Sequence, residues 1–318
     1  VLVPEQFTMQ TQKDLVSMHP RHGIMNIDVL SFARLAYRVF EETGTKQMQV
    51  LDDEGKNLIL RKIAGDYENK LTVLKGNIKK LGYISEVKSV ISEFTQYDIG
   101  EEEMDEMLDH LDEDSRLYYK LKDIRLLYEG FQDYLRERYI TKEELLDVLN
   151  SQVKESELLK NSVVVLDGFT GFTPVQNRLI LELMRCCKEV WVTVTMDERE
   201  NPYAYKHPYQ LFGLSKQMVT TLVRMAGEDH IEVEEPVCLY GYPVKRFEKN
   251  QELAFLERNI FRYGSGRYDK AVENLEIHAA GNPRQEADAV AEGIRRLVRK
   301  DQYRYRDIGV IVSDMNVY

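Results

Sequence analysis

Apolar positions in the first fifty residues alternate between two periods. Leu2 and Val3 close an apolar run, Pro4 forces the chain to turn, and a short helix is predicted over 7–16. Residues 26–30 read as a strand. Ser31 then suits the N-cap of a helix carrying Phe32, Leu35, Ala36, Val39 and Phe40 on one face, closed by Gly44. Such strand–helix alternation marks an α/β sheet.

From about 51 to 156 the strand signal vanishes. "LDDEGKNLILRKIAG", "SEVKSVISEFTQY" and "SRLYYKLKDIRLLYEGFQDYLRER" carry apolar residues at helical spacing. In the last of these, Leu117, Leu121, Ile124, Leu127 and Leu135 share a stripe. Thr141 and Glu144 in "TKEELLDVLN" have the spacing of a capping box. The α/β pattern resumes with "VVVLD" (163–167), a helix opened by Pro174, and a strand in "EVWVTVTM". A Pro- and Tyr-rich loop over 197–213, a helix over 214–226, a strand near 231–234 and a helix within 247–261 follow. After a linker over 263–270, the chain reads as strand ("NLEIHAA"), helix ("PRQEADAVAEGIRRLVRK") and strand ("DIGVIVSD").

The predicted fold class is therefore α/β, with a parallel sheet and a large all-helical insertion. Residues 1–50 and 157–268 are expected to form one discontinuous α/β domain, 51–156 the inserted helices, and 269–318 the start of a second α/β domain. Both ends read as strands, as expected of a piece of a longer chain whose ends fall inside folded units.

Composition narrows the function class. The 318 residues are 43% hydrophobic and 31% charged, which is a globular balance. No run is long and apolar enough for a membrane span, so no membrane partner is expected. Three cysteines, two of them adjacent (Cys186 and Cys187) and Cys238 distant, form neither a disulfide framework nor a metal-ligand spacing, so a reducing cytoplasm is expected. The net charge of −11 argues against a sequence-independent nucleic-acid coat, but not against a local groove. The acids concentrate in "EEEMDEMLDHLDED" (101–114), which has no Lys or Arg and reads as a solvated helix face or loop.

Candidate chemistry gathers at the end of "VVVLD". Asp167 is either an acid that could hold Mg²⁺ at a strand end or a turn-forming Asp before Gly168. Motor ATPases usually follow that acid with a glutamate that aligns the attacking water; here Gly168 stands in its place. Gln176 is either near a nucleotide phosphate or a helix-surface glutamine. The chain has no G-x-x-x-x-G-K-[ST] loop, so phosphates lack a backbone cradle. Arg34, Tyr37 and Arg38 lie on the helix face opposite the core stripe, where an aromatic among arginines suits unpaired bases and phosphates, or simply a solvated face. "RRLVRK" with "YRYRD" is the strong basic cluster, either a phosphate-contacting edge or the polar side of a helix. The adjacent cysteines read as packing residues, and neither His207 nor His230 has a ligand-forming neighbour in sequence.

The order of parts resembles superfamily-1 helicases of the UvrD type, through "RYITKEELLDVL", "VVVLDGF" and "NPRQEADAVAEGIRRLVRKDQYRYRDIGVIV". "LVPEQFT", "VLSFARLAYRV", "VVVLDGFTGFTPVQ" and "HPYQLF" resemble more closely the B subunits of AddAB-type helicase–nucleases (AddB and its RexB relatives), along essentially the whole chain. The resemblance implies a P-loop-NTPase-like sheet and a role in processing broken DNA ends for recombinational repair, with an A subunit carrying the active motor. It implies a front half without motor function that reads a hotspot sequence as single-stranded DNA. It also implies ATP and Mg²⁺ in the full-length protein, and an iron–sulfur cluster in a nuclease domain whose ligands are not expected in these residues. Phe32, Arg34, Tyr37, Phe169, Gln6 and Thr8 fall on family positions associated with reading that strand. Tyr37 stands where some members carry tryptophan. The implied division of labour is stacking by Phe32, Tyr37 and Phe169, and hydrogen bonding by Gln6, Thr8 and Arg34. Two other readings stand beside it: a residual ATPase using Asp167 with a P-loop lying upstream, and a scaffold for docking the A subunit, which suits the negative charge better.

Overall fold

The computed structural model describes residues 1–44, 49–78, 80–136, 139–262, 266–315 and 317–318, in two compact units, Val1–Glu235 and Pro236–Tyr318. The linker expected over 263–270 lies partly outside the described residues. In the first unit the elements are α1 (Thr8–Met18), α2 (Phe32–Thr43), β1 (Gln49–Val50), α3 (Asp53–Asp66), α4 (Leu81–Gln96), α5 (Glu101–Asp109), α6 (Arg116–Leu135) and β2 (Tyr139–Ile140). They continue with α7 (Leu145–Gln152), α8 (Glu157–Lys160), β3 (Val163–Leu166), α9 (Pro174–Cys186), β4 (Glu189–Val192) and α10 (Gly213–Glu228).

The fold is α/β and helix-rich, with small parallel sheets. β3 pairs in parallel with β4, and Leu2 bridges in parallel to both Leu166 and Leu30. Backbone bonds extend this layer: Leu2 N–H donates to the Val165 carbonyl at 2.7 Å and Val3 N–H to the Leu30 carbonyl at 3.0 Å. Four parallel stretches thus lie in the order 30, 2–3, β3, β4. The strand expected over 26–30 is reduced to a bridge at its last residue, with the Asp28 carbonyl accepting from the Val1 amino group at 2.7 Å beside it.

The stripe read on α2 is buried as expected: Phe32, Leu35, Ala36, Val39 and Phe40 all lie in the core. Ser31 accepts from Arg34 N–H as N-cap, and Gly44 closes the helix at φ +66°. That core also takes Leu145 and Leu149 of α7, Leu179, Ile180 and Leu183 of α9, and Met218 and Leu222 of α10. The Thr141–Glu144 box forms, with Thr141 N–H donating to Glu144 Oε2 at 2.7 Å and Glu144 N–H to Thr141 Oγ1 at 3.3 Å. α7 therefore packs on α2 and α9, not within the helices before it.

A second core belongs to α3–α6, with Leu60, Ile63, Ile78, Ile84, Leu127 and Phe131 at its centre. Its chain enters and leaves through one clasp, β1 paired with β2 (Gln49↔Tyr139, Val50↔Ile140). Leu121, Ile124, Leu127 and Leu135 of α6 are buried, but Leu117, in the first turn of the helix, is 58% exposed. Buried Asp123 accepts from the N–H groups of Thr72, Val73 and Leu74 and from Thr72 Oγ1, which anchors the turn before α4. Lys56, 2% exposed, donates to Glu143 at 2.6 Å and to Ser92 at 3.3 Å. On the surface, Arg178 of α9 pairs with Asp98, after α4, and with Asp147 of α7, tying the two cores together. The first part of the acidic run forms α5, whose acids are exposed while Met104 is buried in the second core, and whose Asp105 pairs with Arg125.

In the second unit, α11 (Gln251–Asn259) and α12 (Pro283–Lys300) form where the periodicity places them. The strands expected in 274–280 and 307–314 do not form among the described residues, and Ile277 and Ile311 are 100% and 98% exposed. A strand needs a partner for its N–H and C=O groups and a surface for its apolar face, and this unit supplies neither. The same applies to 231–234 in the first unit. The arginines of the basic cluster are exposed on and after α12, where Arg296 pairs with Glu276 and Arg304 with Asp307.

Candidate nucleic-acid interface

Because the four stretches run in parallel, the segments leaving their carboxyl ends lie side by side. Pro4–Thr8 follows the 2–3 stretch, Ser31–Arg34 follows Leu30, Asp167–Phe169 follows β3, and Thr193 follows β4. Ligands of open α/β sheets bind at this edge. The sheet therefore brings together residues that are far apart in sequence.

Glu5–Phe7 form a single 3₁₀ turn, with Gln6 exposed at the edge. Thr8, the first residue of α1, is 6% exposed, and its hydroxyl donates to the Glu5 carbonyl at 3.0 Å. It therefore builds the turn that presents Gln6. Arg34 pairs with Glu5 at 3.4 Å, with both side chains more than half exposed, so that pair is weak and exchangeable. Tyr37 lies one turn along the same helix face, 40% exposed.

The expected stacking trio divides. Phe32 is buried at 7%, with its ring 5.5 Å from Phe169 and 6.3 Å from Phe172. Phe169 and Phe172 meet at 5.0 Å, and both are only partly buried. Phe32 thus supports Phe169 from below, leaving Tyr37 and Phe169 as the rings nearest solvent.

Asp167 N–H donates to the Leu2 carbonyl at 2.9 Å, and its Oδ1 accepts from Thr193 Oγ1 at 2.5 Å. Its carboxylate ties the ends of β3 and β4 together. Gly168 has φ +78°, a backbone that an L side chain adopts only under strain, so a glutamate there would have to distort the turn. Gln176 closes a reciprocal cap on α9: Thr173 N–H donates to its Oε1 at 3.0 Å and its N–H donates to Thr173 Oγ1 at 3.4 Å. Among the described residues no three His, Cys, Asp or Glu side chains group to hold a metal ion. Asp167 and Gln176 are thus each engaged in a local structural contact.

Sequence reading missed Glu5, Phe172 and Thr193. The repeat "GFTGFT" carries a signal for Phe172, and T-x-x-Q at 173–176 is a legible capping box. Nothing local marks Glu5 or Thr193, because their partners come from other strands. The cysteines behave as packing residues: Cys186 and Cys187 lie against the first core, and burial pushes the Cys187 thiol up to about 12. No helix among the described residues is long and apolar enough to cross a membrane.

Comparison with known proteins points to one family. The family model described as "ADDB, N-terminal" matches residues 1–257. The chain is 42% identical over its whole length to the B subunit of the ATP-dependent helicase/deoxyribonuclease of Lachnoclostridium phytofermentans, covering 28% of that protein. It is 35% identical to the protein of the same name from Caldanaerobacter subterraneus subsp. tengcongensis, and 30% to that of Clostridium acetobutylicum, covering 27% of each. The chain thus spans little more than a quarter of the length of these curated relatives. A family match over residues 1–257 of the 318 makes this chain a member of the AddB N-terminal family.

Proposed function

We propose that this chain is the helicase-like front part of the B subunit of an ATP-dependent helicase/deoxyribonuclease, and that it binds single-stranded DNA without hydrolysing nucleotide. The sheet would be the remnant of a P-loop-NTPase-like fold whose inserted helices are α3–α6, with α7 returned to the sheet's own core. The naming of the relatives as B subunits supports a partner A subunit, and their activity supports a role in repair and recombination. ATP, Mg²⁺ and an iron–sulfur cluster would belong to other parts of the assembly.

One observation carries the reading: Gln6, Arg34, Tyr37 and Phe169 emerge at the carboxyl edge of adjacent parallel stretches. Tyr37 and Phe169 offer ring faces for bases. Arg34 exchanges Glu5 for a phosphate or a base edge, and Gln6 offers an amide for base readout. Phe32 and Thr8 hold these groups in position. Asp167 has become a structural tie between strands, and Gly168 leaves no carboxylate to align water.

Fluorescence anisotropy of the chain with labelled single-stranded oligonucleotides, across a salt series, tests this. Binding should weaken steeply with salt, and Arg34→Ala and Tyr37→Ala should each cost roughly 1–3 kcal/mol. Absence of binding at low salt, or affinity indifferent to both substitutions, would overturn it.

A further inference from the structure

The loop leaving β4 carries the most exposed tyrosine among the described residues, and its geometry is not that of a slack connection. Tyr209 is 84% exposed, and its ring lies flat against His207, with centroids 3.8 Å apart and planes 15° apart. One face of the phenol is therefore backed by the imidazole while the other is open.

The segment around this pair is braced at each turn. Gln210 accepts from Lys206 N–H at 3.0 Å through Oε1 and donates to the Ala204 carbonyl at 2.9 Å through Nε2. Gly213 N–H donates to the Gln210 carbonyl at 2.7 Å. A Cβ on Gly213 would come within 2.6 Å of the Pro208 carbonyl oxygen, so the loop closes on α10 at a distance only glycine allows. Further back, Lys216, 2% exposed, holds Glu200 at 2.5 Å.

Charge favours an anionic ligand. Two of the loop's three acids are held by cations, Asp197 by Arg199 and Glu200 by Lys216. The exposed Lys206 has no carboxylate partner for its ammonium among the described residues.

The fold also fixes which edge the loop occupies. α9 returns from the carboxyl end of β3 to the start of β4, so its first turn lies at the carboxyl edge. α10 packs on α9, and Arg185 near the end of α9 holds Asp229 just after α10 at 2.5 Å. The joined carboxyl ends give the two helices a common direction, which turns the start of α10, with 207–213 before it, toward the edge that carries Gln6 and Phe169.

We propose that Tyr209, backed by His207 and flanked by Lys206, is a base-stacking platform that extends the single-strand site along the sheet edge beyond β4. The assignment rests on the single-strand reading given above. A ring held on one side loses little freedom when a base covers the other, and stacking of this kind is tolerant of sequence. Tyr209 would therefore add affinity without selecting a base, while Gln6 and Arg34 read the edges.

The test uses the 318-residue chain and fluorescent oligothymidylate, with thermal melts of every variant. Tyr209→Ala should weaken binding roughly five- to a hundredfold, the range of one base–aromatic stack, with its melting temperature unchanged. Tyr209→Phe, which keeps the ring, should bind like the parent. With 5-iodouracil placed along the strand, ultraviolet cross-links should map to Tyr209 by mass spectrometry. If the parent binds and Tyr37→Ala weakens it while Tyr209→Ala does not, this inference falls and the single-strand reading stands. If the parent does not bind at low salt, both fall.

Discussion

Replacing Gly168 is expected to strain the turn that follows β3. Gly168 sits at φ +78°, where a Cβ approaches the carbonyl oxygen and costs an L residue roughly 1–2 kcal/mol. The nearest atom to a new Cβ, Pro4 Cδ, is 3.7 Å away, an ordinary contact, so packing adds nothing to the cost. Removing glycine also lowers unfolded-state entropy, which offsets part of the strain. The net loss for Gly168→Ala is then about 1 kcal/mol. For a unit the size of Val1–Glu235 that corresponds to a fall in Tm of roughly 2–4 °C.

The single tryptophan, Trp191, lies on β4, paired in register with Val165 of β3, so its fluorescence reports unfolding of this sheet. Gly168→Asn should lose less than Ala, since asparagine tolerates the left-handed region better. Gly171→Ala is the control: its backbone is outside that region and a Cβ meets nothing within 4 Å. If Gly168→Ala melts with or above the parent, or falls no further than Gly171→Ala, the backbone argument for the missing glutamate is wrong.

Asp123→Ala should destabilise the helical body by about 2 kcal/mol, because three backbone N–H groups, that of Leu74 fully buried, lose a shared acceptor; Asp123→Asn, which keeps one oxygen, should lose clearly less, as read by far-ultraviolet circular dichroism melts. For Glu143, burial pushes the carboxyl up, but the hydrogen bond and charge of Lys56, with smaller help from its own backbone N–H and Ser92, outweigh that and hold it below the usual range. A carboxyl depressed in the folded state contributes stability that is present above its unfolded pKa, roughly 4.3, and is lost as pH falls through the folded value. Glu143→Gln should therefore lower Tm at neutral pH and flatten its acid limb; a parallel limb in both proteins would refute that.

Legibility along this chain follows the range of the forces involved. α2 could be read to its caps because its determinants, the Ser31 cap, the apolar stripe and Gly44, all lie within one helix. The α3–α6 body was legible for the same reason, except where Leu117 keeps the period of α6 yet faces outward. Strands were read less well. "NLEIHAA" and "DIGVIVSD" have strand composition without strand structure, since composition cannot supply a pairing partner. At the candidate site, Arg34 and Tyr37 were visible as a polar face, and Phe32, grouped with them by resemblance, was also legible as part of the core stripe in which it lies.

By itself the sequence determined the helices, their caps, the helical interruption of an α/β pattern, and the glycine where a motor would carry a catalytic glutamate. All of these depend on residues within about four positions of one another, or on the backbone preference of one residue. Only the tertiary structure decided that Leu2 lies between Leu30 and Leu166, that Glu5 meets Arg34, and that Thr193 occupies the Asp167 carboxylate. Those contacts join segments brought together by parallel pairing and a shared core, and no local pattern encodes which strand becomes whose neighbour.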